Sequence, residues 1–149
     1  MLEPTGERVI EEHYRGSAED YLIYLFHIVT YDFAMPIVHG ARVLDFGCGS
    51  GYGTARIASG CDAVIGVDIS QDAIAFAGSR YHSENLSYRV VEPVEKAPLP
   101  FNDNSFDCVL SFQVIEHVID PDAYLWEVLR VLRPGGKFII ATPDRSTRS

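Results

Sequence analysis

The sequence predicts an α/β domain in which a mostly parallel sheet is covered by helices on both faces. Three observations support this prediction. From residue 41 onward, segments with strand composition alternate with segments of helical periodicity. Several of the strand segments are apolar on both faces, which is typical of parallel strands buried between two layers of helices. The first strand also runs directly into a cluster of glycines, which indicates a sharp strand-to-helix turn or a close-lying ligand.

Residues 1–40 are expected to form a helical cap or lid on this domain, which itself spans residues 41–149. Ser17 is predicted to cap the N-terminus of a helix, because two acidic residues follow in the first turn. Apolar residues then recur at helical spacing until Pro36 limits the run. These residues are Tyr21, Leu22, Leu25, Phe26, Ile28 and Val29.

Five segments of the domain have the apolar composition of strands: residues 42–46, 63–68, 86–91, 106–111 and 137–141. A helix is expected at residues 51–59, and Ser70 is predicted to cap a second helix that runs to about Tyr81. Asp120 and Pro121 are predicted to open a third helix, which the Pro-Gly-Gly at residues 134–136 ends. Four residues of this helix are expected to share its apolar face: Leu125, Val128, Leu129 and Leu132.

Composition excludes several classes of function. The 149 residues carry a formal net charge of −9, from 12 basic and 21 acidic side chains, which disfavours a nucleic-acid partner. The three cysteines, Cys48, Cys61 and Cys108, give neither a disulfide framework nor a zinc motif and agree with a cytoplasmic environment. No apolar run approaches the ~20 residues of a membrane span. We therefore expect a cytoplasmic protein with no membrane segment and no metal site.

The segment 43–53 is the most informative part of the chain, because Gly47, Gly49, Gly51 and Gly53 alternate in it directly after a strand. Glycines are needed there if the backbone turns sharply or a ligand approaches it closely. The spacing does not match the G-x-G-x-x-G pattern of dinucleotide-binding loops. Asp45, two residues before the first glycine, would repel a pyrophosphate but suits a ligand that carries an ammonium and a sulfonium. The charge favours S-adenosylmethionine over NAD.

A second acidic residue, Asp68, ends the second strand, 21 positions after Gly47. In nucleoside-binding α/β sheets an acid at this place accepts hydrogen bonds from the ribose hydroxyls. Asp68 could instead cap the following helix, but Ser70 is placed to do so. Ribose recognition is favoured, although NAD and S-adenosylmethionine share this feature.

Three further blocks, at residues 99–107, 114–118 and 129–136, follow the glycine loop in order. With them, the chain from about residue 41 to 143 resembles the class I S-adenosylmethionine-dependent methyltransferases of the type 11 kind. The resemblance implies a Rossmann-like fold, S-adenosylmethionine as cofactor and S-adenosylhomocysteine as product. It also implies that the last strands of the family's usual seven-stranded sheet are missing. We expect the fifth strand, an apolar edge, to be covered by another segment or by a second copy in a homodimer.

The resemblance also implies roles for individual residues. Residues of the glycine loop would contact the methionine part of the cofactor, Asp68 the ribose, Ile69 the adenine and Glu92 the adenine amino group. Residues directly after the fourth strand would line the methyl end. The complete predicted cofactor-binding set is Asp45, Gly47, Cys48, Gly49, Gly51, Tyr52, Asp68, Ile69, Glu92, Ser111, Phe112 and Gln113.

The resemblance predicts methyl transfer to oxygen or nitrogen of a small-molecule or glycan acceptor. His117 is the candidate base if an acceptor hydroxyl must lose its proton, whereas His27, His39 and His82 are expected at the surface or in packing. Residues 5–8 and 31–34 resemble methyltransferases linked to bacterial glycan synthesis. Two alternatives remain: a cofactor-binding domain or fragment without activity of its own, and an NAD-dependent oxidoreductase.

Overall fold

The computed structural model describes residues 18–142, so the predictions for Ser17 and for residues 5–8 lie outside the described part. Helices and strands alternate in the described residues, except that no helix separates the third and fourth strands, and a 3-10 turn lies at Ile115–His117. In chain order they are α1 (Ala18–Ala34), β1 (Arg42–Phe46), α2 (Tyr52–Ala58), β2 (Ala63–Asp68), α3 (Gln71–Arg80), β3 (Leu86–Val90), β4 (Phe106–Phe112), α4 (Pro121–Val131) and β5 (Leu132–Ala141).

All strand pairs in the sheet are parallel, and the strand order is β3-β2-β1-β4-β5. The chain builds the sheet outward from β1 to β3, then crosses back to place β4 on the other side of β1. At this reversal the connections leave β1 and β4 in opposite directions, and a crevice opens at the carboxyl ends of the strands. The topology therefore places the end of β1 and the glycine loop at the crevice.

The sheet carries a hydrophobic core on each face, which confirms the predicted three-layer α/β architecture. Leu44 and Phe46 of β1 belong to the core that includes α4. Val43, between them in sequence, belongs to the opposite core, which includes the C-terminal part of α1 and the helix α2. Successive side chains of a strand point to opposite faces, so a strand buried on both sides needs the continuous apolar composition found here.

Two helix starts follow from local sequence signals. The Ser70 hydroxyl accepts a hydrogen bond from the Ala73 N–H and caps α3. The Asp120 carboxylate accepts one from the Ala123 N–H and caps α4, with Pro121 at the first helical position. Both caps satisfy backbone donors that a helix start otherwise leaves without partners, and both were predicted.

The apolar face predicted for α4 is right at Val128 and Leu132, which are buried, and wrong at Leu125 and Leu129. Leu125 is 41% exposed and Leu129 61% exposed, whereas Tyr124, Val128 and Val131 are buried. The buried residues follow the spacing i, i+4, i+7 of one helical stripe. The Tyr124 ring fixes this phase because it stacks on the Phe46 ring of β1, with ring centroids 4.9 Å apart.

The end of α4 also differs from the prediction. The helix ends at Val131, and β5 begins directly at Leu132, which pairs with Phe106 of β4. Pairing then shifts to Cys108 opposite Lys137, so residues 133–136 form a bulge in the strand. Pro134 favours this early end, since the residue before a proline avoids the helical conformation.

Arg130 of α4 joins two of the sequence blocks that carry the family resemblance. Its guanidinium donates to the carbonyl oxygens of Phe101 (2.8 Å) and Leu99 (3.0 Å) and to the carboxylates of Asp103 and Glu127. These carboxylates raise the pKa of Arg130, so the side chain stays charged. Arg130, in the last turn of α4, thereby holds the loop before β4 against this helix.

Among the residues that the structure describes, no helix is long and apolar enough to cross a membrane. Within the same residues, no group of three or more His, Cys, Asp or Glu side chains is arranged to hold a metal ion. The strands β3 and β5 form the two edges of the described sheet. Dimerisation through β5 stays a prediction.

Candidate functional site

A crevice of about 360 Å³ opens at the carboxyl ends of the central strands, a volume within the range of small-molecule sites. Apolar side chains form much of its wall, and acidic side chains stand on one side. It brings together eight of the residues that the sequence predicts for the site: Gly47, Gly49, Asp68, Ile69, Glu92, Phe112, Gln113 and His117.

The glycine loop turns the chain from β1 into α2 through residues with positive φ, among them Gly47 at 91°. A Cβ atom at Gly47 would overlap the Val114 side chain, so this position needs glycine for its conformation and for its fit. The N–H groups of Gly47 and Cys48 both donate to the carbonyl of Val67, at 2.8 and 2.9 Å. The Gly51 N–H donates to the Cys48 carbonyl at 3.1 Å. The loop is therefore held by its own backbone donors.

Asp68 fixes the loop to the end of β2. One carboxylate oxygen accepts from the Gly49 N–H and the other from the Ser70 N–H, both at 2.9 Å. Ser70, not Asp68, caps α3. A carboxylate has about four acceptor positions, so Asp68, which lines the crevice, keeps capacity for further donors.

The side of the crevice beyond Asp68 is exposed and mostly apolar. Ile69 is 60% exposed, a high value for a large apolar side chain, and lies in the crevice wall with Pro93 and Val94. Glu92 stands exposed beside them. An apolar surface with a carboxylate at its rim offers a flat heterocycle both packing and a hydrogen-bond acceptor.

The expectation that Asp45 lines the crevice is wrong, because its side chain is completely buried behind the loop. One carboxylate oxygen accepts from the Tyr31 hydroxyl (2.9 Å) and the Thr54 hydroxyl (2.7 Å), and the other, Oδ1, has no partner among residues 18–142. Burial raises the pKa of Asp45 to about 6, assisted by the charge of Asp68 and opposed by the two hydroxyl donors. Asp45 ties α1 and α2 to the end of β1.

Ser111 is also misplaced by the prediction. Its side chain is fully buried, donates to the Phe46 carbonyl at 3.0 Å and accepts from the Tyr124 hydroxyl. The strand β4 extends through Phe112, so Ser111 still lies within the sheet, where α4 covers it. Phe112 and Gln113, which follow it, reach the crevice as predicted.

His117 lines the crevice from the 3-10 turn after β4, with its side chain 48% exposed. Its Nε2 lies 3.8 Å from a carboxylate oxygen of Glu116. The second oxygen of Glu116 accepts from the Thr142 hydroxyl at 3.1 Å. His117 is therefore partly exposed and lies beside Glu116, which accepts a hydrogen bond from the residue directly after β5. Its catalytic role stays a prediction.

A second, smaller recess lies between α1 and the glycine loop. Cys48 and Tyr52 line this recess instead of the crevice, and Tyr52 contacts Tyr24 of α1 with hydroxyl oxygens 3.3 Å apart. Gly51 lies outside both hollows, where its carbonyl accepts from the Tyr88 hydroxyl at 2.7 Å. Of the predicted loop residues, Cys48 and Tyr52 thus line only the recess, and Gly47 and Gly49 line both hollows.

Sequence reasoning missed His27, which lines this recess rather than the surface. Burial lowers the pKa of His27 to about 4, against a smaller opposing effect of a hydrogen bond with Gln113. The signal was present in the sequence. Tyr24, His27 and Tyr31 follow the spacing i, i+3, i+7 of one helical stripe, a polar and aromatic stripe within an otherwise apolar helix.

Comparison with known proteins is consistent across sequence and structure. A family described as a methyltransferase domain matches residues 44–140. A probable S-adenosylmethionine-dependent methyltransferase of Mycolicibacterium smegmatis is 39% identical over 145 residues, 97% of this chain and 53% of that protein. A ubiquinone biosynthesis O-methyltransferase of Rhizobium etli is 34% identical over 118 residues, 78% of this chain and 46% of that protein. The chain thus spans about half the length of these curated relatives.

A solved structure gives the same result. Phosphoethanolamine N-methyltransferase 2 of Haemonchus contortus, in complex with S-adenosyl-L-methionine, superimposes with a TM-score of 0.68 at 34% identity. The match covers 78% of this chain and 27% of that one.

Proposed function

The chain belongs to the class I S-adenosylmethionine-dependent methyltransferases, and we propose that its crevice binds the cofactor for methyl transfer to a small-molecule or glycan acceptor. The observation that carries the proposal is the position of Asp68. Its carboxylate is fixed by two backbone N–H groups at the end of β2, beside the exposed Ile69. A fixed acceptor next to an apolar surface suits the ribose hydroxyls and the base of a nucleoside.

The glycine loop favours S-adenosylmethionine over a dinucleotide. Loops that bind a pyrophosphate present backbone N–H groups to it. Here the N–H groups of Gly47, Cys48, Gly49 and Gly51 already donate to the Val67 carbonyl, the Asp68 carboxylate and the Cys48 carbonyl. The loop offers an anion few donors, so the NAD alternative has little support in its geometry.

The charges around the loop also fit a cationic nucleoside. Asp68 and Glu92 line the crevice, and Asp45 lies buried behind the loop. The cofactor supplies a methyl group on a positively charged sulfur. Carboxylates on both sides of the loop stabilise such a charge where a phosphate would be repelled. Asp45 thus contributes its charge from a buried position.

Phe112 and Gln113 limit the crevice at the end of β4 and would exclude water from the methyl end. Methyl transfer needs mainly alignment of the acceptor with the methyl group. If the acceptor is a hydroxyl, His117 is the candidate for removing its proton, because it lines the same crevice. The relative from Rhizobium etli, named as an O-methyltransferase of ubiquinone biosynthesis, supports a small organic acceptor.

The test is calorimetric titration of the purified chain with S-adenosylmethionine, S-adenosylhomocysteine and NAD. We expect the first two to bind. The Asp68→Ala variant should weaken both by about 30-fold or more, because hydrogen bonds to a charged acceptor are lost. The matched control is Asp72→Ala, which removes an equal charge from the exposed first turn of α3.

Binding of NAD without binding of the other two ligands would contradict the proposal. Incubation with labelled S-adenosylmethionine and a panel of hydroxylated small molecules and glycans then tests transfer. Cofactor binding without transfer to any acceptor would support the alternative of a binding domain without activity of its own.

A further inference from the structure

The recess between α1 and the glycine loop has a volume of about 20 Å³, enough for one small polar group. His27 enters it from α1, opposite Gly47 and Gly49 of the loop, and Phe112 closes one side. Gly47, Gly49 and Phe112 also line the crevice, so the two hollows adjoin at these residues. A ligand in the crevice therefore passes close to the recess.

The recess contains a hydrogen-bonding atom that the protein leaves without a partner. His27 Nε2 is buried and makes no hydrogen bond with any described residue. Gln113 favours the protonated ring, as an amide oxygen beside an imidazole N–H does. In the neutral tautomer that carries its proton at Nδ1, Nε2 has a lone pair. That tautomer presents an acceptor to the recess.

The surroundings favour a cationic donor at this acceptor. No lysine or arginine is among the described residues that line the recess. Asp45 lies behind it, where it accepts from the Tyr31 hydroxyl, and its Oδ1 is a second buried polar atom without a partner among the described residues. Burial holds the pKa of His27 near 4, so the ring adds no positive charge at neutral pH. A carboxylate would meet acceptors here, whereas an ammonium group would meet partners.

We propose that His27 binds the α-ammonium group of the cofactor's amino-acid moiety, with Nε2 as the hydrogen-bond acceptor. The proposal rests on the proposed function, since it requires S-adenosylmethionine in the crevice. It gives α1 a direct part in the cofactor site. It also explains why a buried imidazole is kept neutral: a charged one would repel the ammonium and the sulfonium.

The test compares ligands that share the nucleoside but differ in the amino-acid part. Wild type and His27→Phe are titrated with S-adenosylhomocysteine and with 5′-methylthioadenosine, which lacks the ammonium and carboxylate. We expect His27→Phe to weaken S-adenosylhomocysteine by about tenfold and to leave 5′-methylthioadenosine within about twofold. His27→Gln, which retains an acceptor oxygen, should recover part of the loss. His39→Phe, at an exposed position, is the control and should change neither affinity.

Other outcomes separate the possibilities. If His27→Phe weakens both ligands equally, His27 has a structural role and the proposal is overturned. If His27→Phe does not fold, His27→Gln decides, and weak binding of 5′-methylthioadenosine by folded His27→Gln would overturn the proposal in the same way. Unchanged affinity for S-adenosylhomocysteine would also overturn it. A wild-type chain that binds neither ligand would contradict the proposed function instead.

Discussion

The glycine loop lies between a region covered by α1 and the open crevice. Each region contains an aspartate, but the two carboxylates accept hydrogen bonds from different kinds of donor. On the side covered by α1, Asp45 is completely buried and accepts from two hydroxyl groups of the protein. On the open side, Asp68 accepts from two backbone N–H groups and faces a crevice. Both aspartates lie near the carboxyl end of a central strand, Asp45 one residue before the end of β1 and Asp68 at the end of β2.

The difference shows how position in the fold divides structural from ligand-binding roles. The covered carboxylate connects three elements, since Tyr31 belongs to α1 and Thr54 to α2. The open carboxylate has unused acceptor positions and an exposed apolar neighbour, Ile69. Changes on the covered side should therefore alter the stability of the protein, and changes on the open side should alter ligand affinity. Four predictions test this division.

The largest effect is expected for Gly53→Ala on the covered side. A Cβ atom at this position would overlap the ring of Tyr31, which is buried and donates to Asp45. The overlap should lower the free energy of unfolding by about 3 kcal/mol, measured by urea denaturation. Gly78→Ala in α3 is the matched control, because its Cβ would meet no atom within 4 Å. That control should be neutral or slightly stabilising; equal losses would refute the steric explanation.

A second change, Asp45→Asn, should make stability less dependent on pH. Because the pKa of Asp45 is raised to about 6 in the folded protein from 3.8, the folded state binds this proton more tightly than the unfolded state. Its contribution to stability is lost as pH rises through this interval. The stability of Asp45→Asn relative to wild type should therefore improve by on the order of 2 kcal/mol between about pH 4 and pH 7, measured by denaturation across pH.

A parallel pH profile for the two proteins would show that Asp45 does not titrate in this interval. Asp107→Asn is the comparison at a carboxylate whose pKa is lowered, by hydrogen bonds from the Arg42 N–H and from Arg133. There the sign reverses: wild type should gain relative to the variant as pH rises from the lowered folded pKa to the unfolded pKa, and the gain should be complete above the unfolded pKa.

On the open side, Ile69→Ser should leave the unfolding free energy within about 0.5 kcal/mol, because the side chain is 60% exposed. It should weaken S-adenosylhomocysteine about tenfold, since packing against the base is lost. Calorimetry and urea denaturation measure the two quantities on one sample. Leu129→Ser, at an equally exposed position of α4, is the control and should affect neither. A large loss of stability from Ile69→Ser would contradict the expectation that changes on the open side alter ligand affinity and not stability.

The smallest effect is expected for Arg56→Ala at the outer surface of the covered side. Arg56 and Asp32 form a two-point ion pair, with Nε 2.6 Å from one carboxylate oxygen, that links α2 to α1. Both side chains are more than a third exposed, so the pair should contribute less than about 1 kcal/mol. The effect should decrease further in high salt. A loss as large as that of Gly53→Ala would mean that this pair, not the buried contacts, holds α1.

Sequence alone predicted the parts of the fold that depend on local signals. The bounds of β1 and β2 and the caps Ser70 and Asp120 follow from apolar runs and from side chains that act within a few residues. Asp68 was predictable because its position at the end of β2 alone brings it to the crevice.

The direction in which individual side chains face was harder to predict. Ser111 directly precedes two residues that reach the crevice, yet its side chain is buried beneath α4, where it accepts from the Tyr124 hydroxyl. His27 is far in sequence from the loop that it contacts, so its role depends on how α1 packs. The phase of α4 depends on the stacking of Tyr124 on Phe46, a long-range contact. Each error concerns a tertiary contact. The helical stripe of Tyr24, His27 and Tyr31 gave a local signal for one of them, but it did not identify the contact partner.

The hydrogen bonds of Arg130 have a consequence for how such proteins are recognised. They join the blocks 99–107 and 129–136, and no residue of either block lines the crevice. A match to these two blocks therefore reports the integrity of the scaffold, whereas the glycine loop and the block 114–118 contribute residues to the crevice. A descendant that lost Asp68 would retain its family signature and its architecture after the chemistry had gone. Assignments of activity among relatives should accordingly be read at the loop and the strand ends.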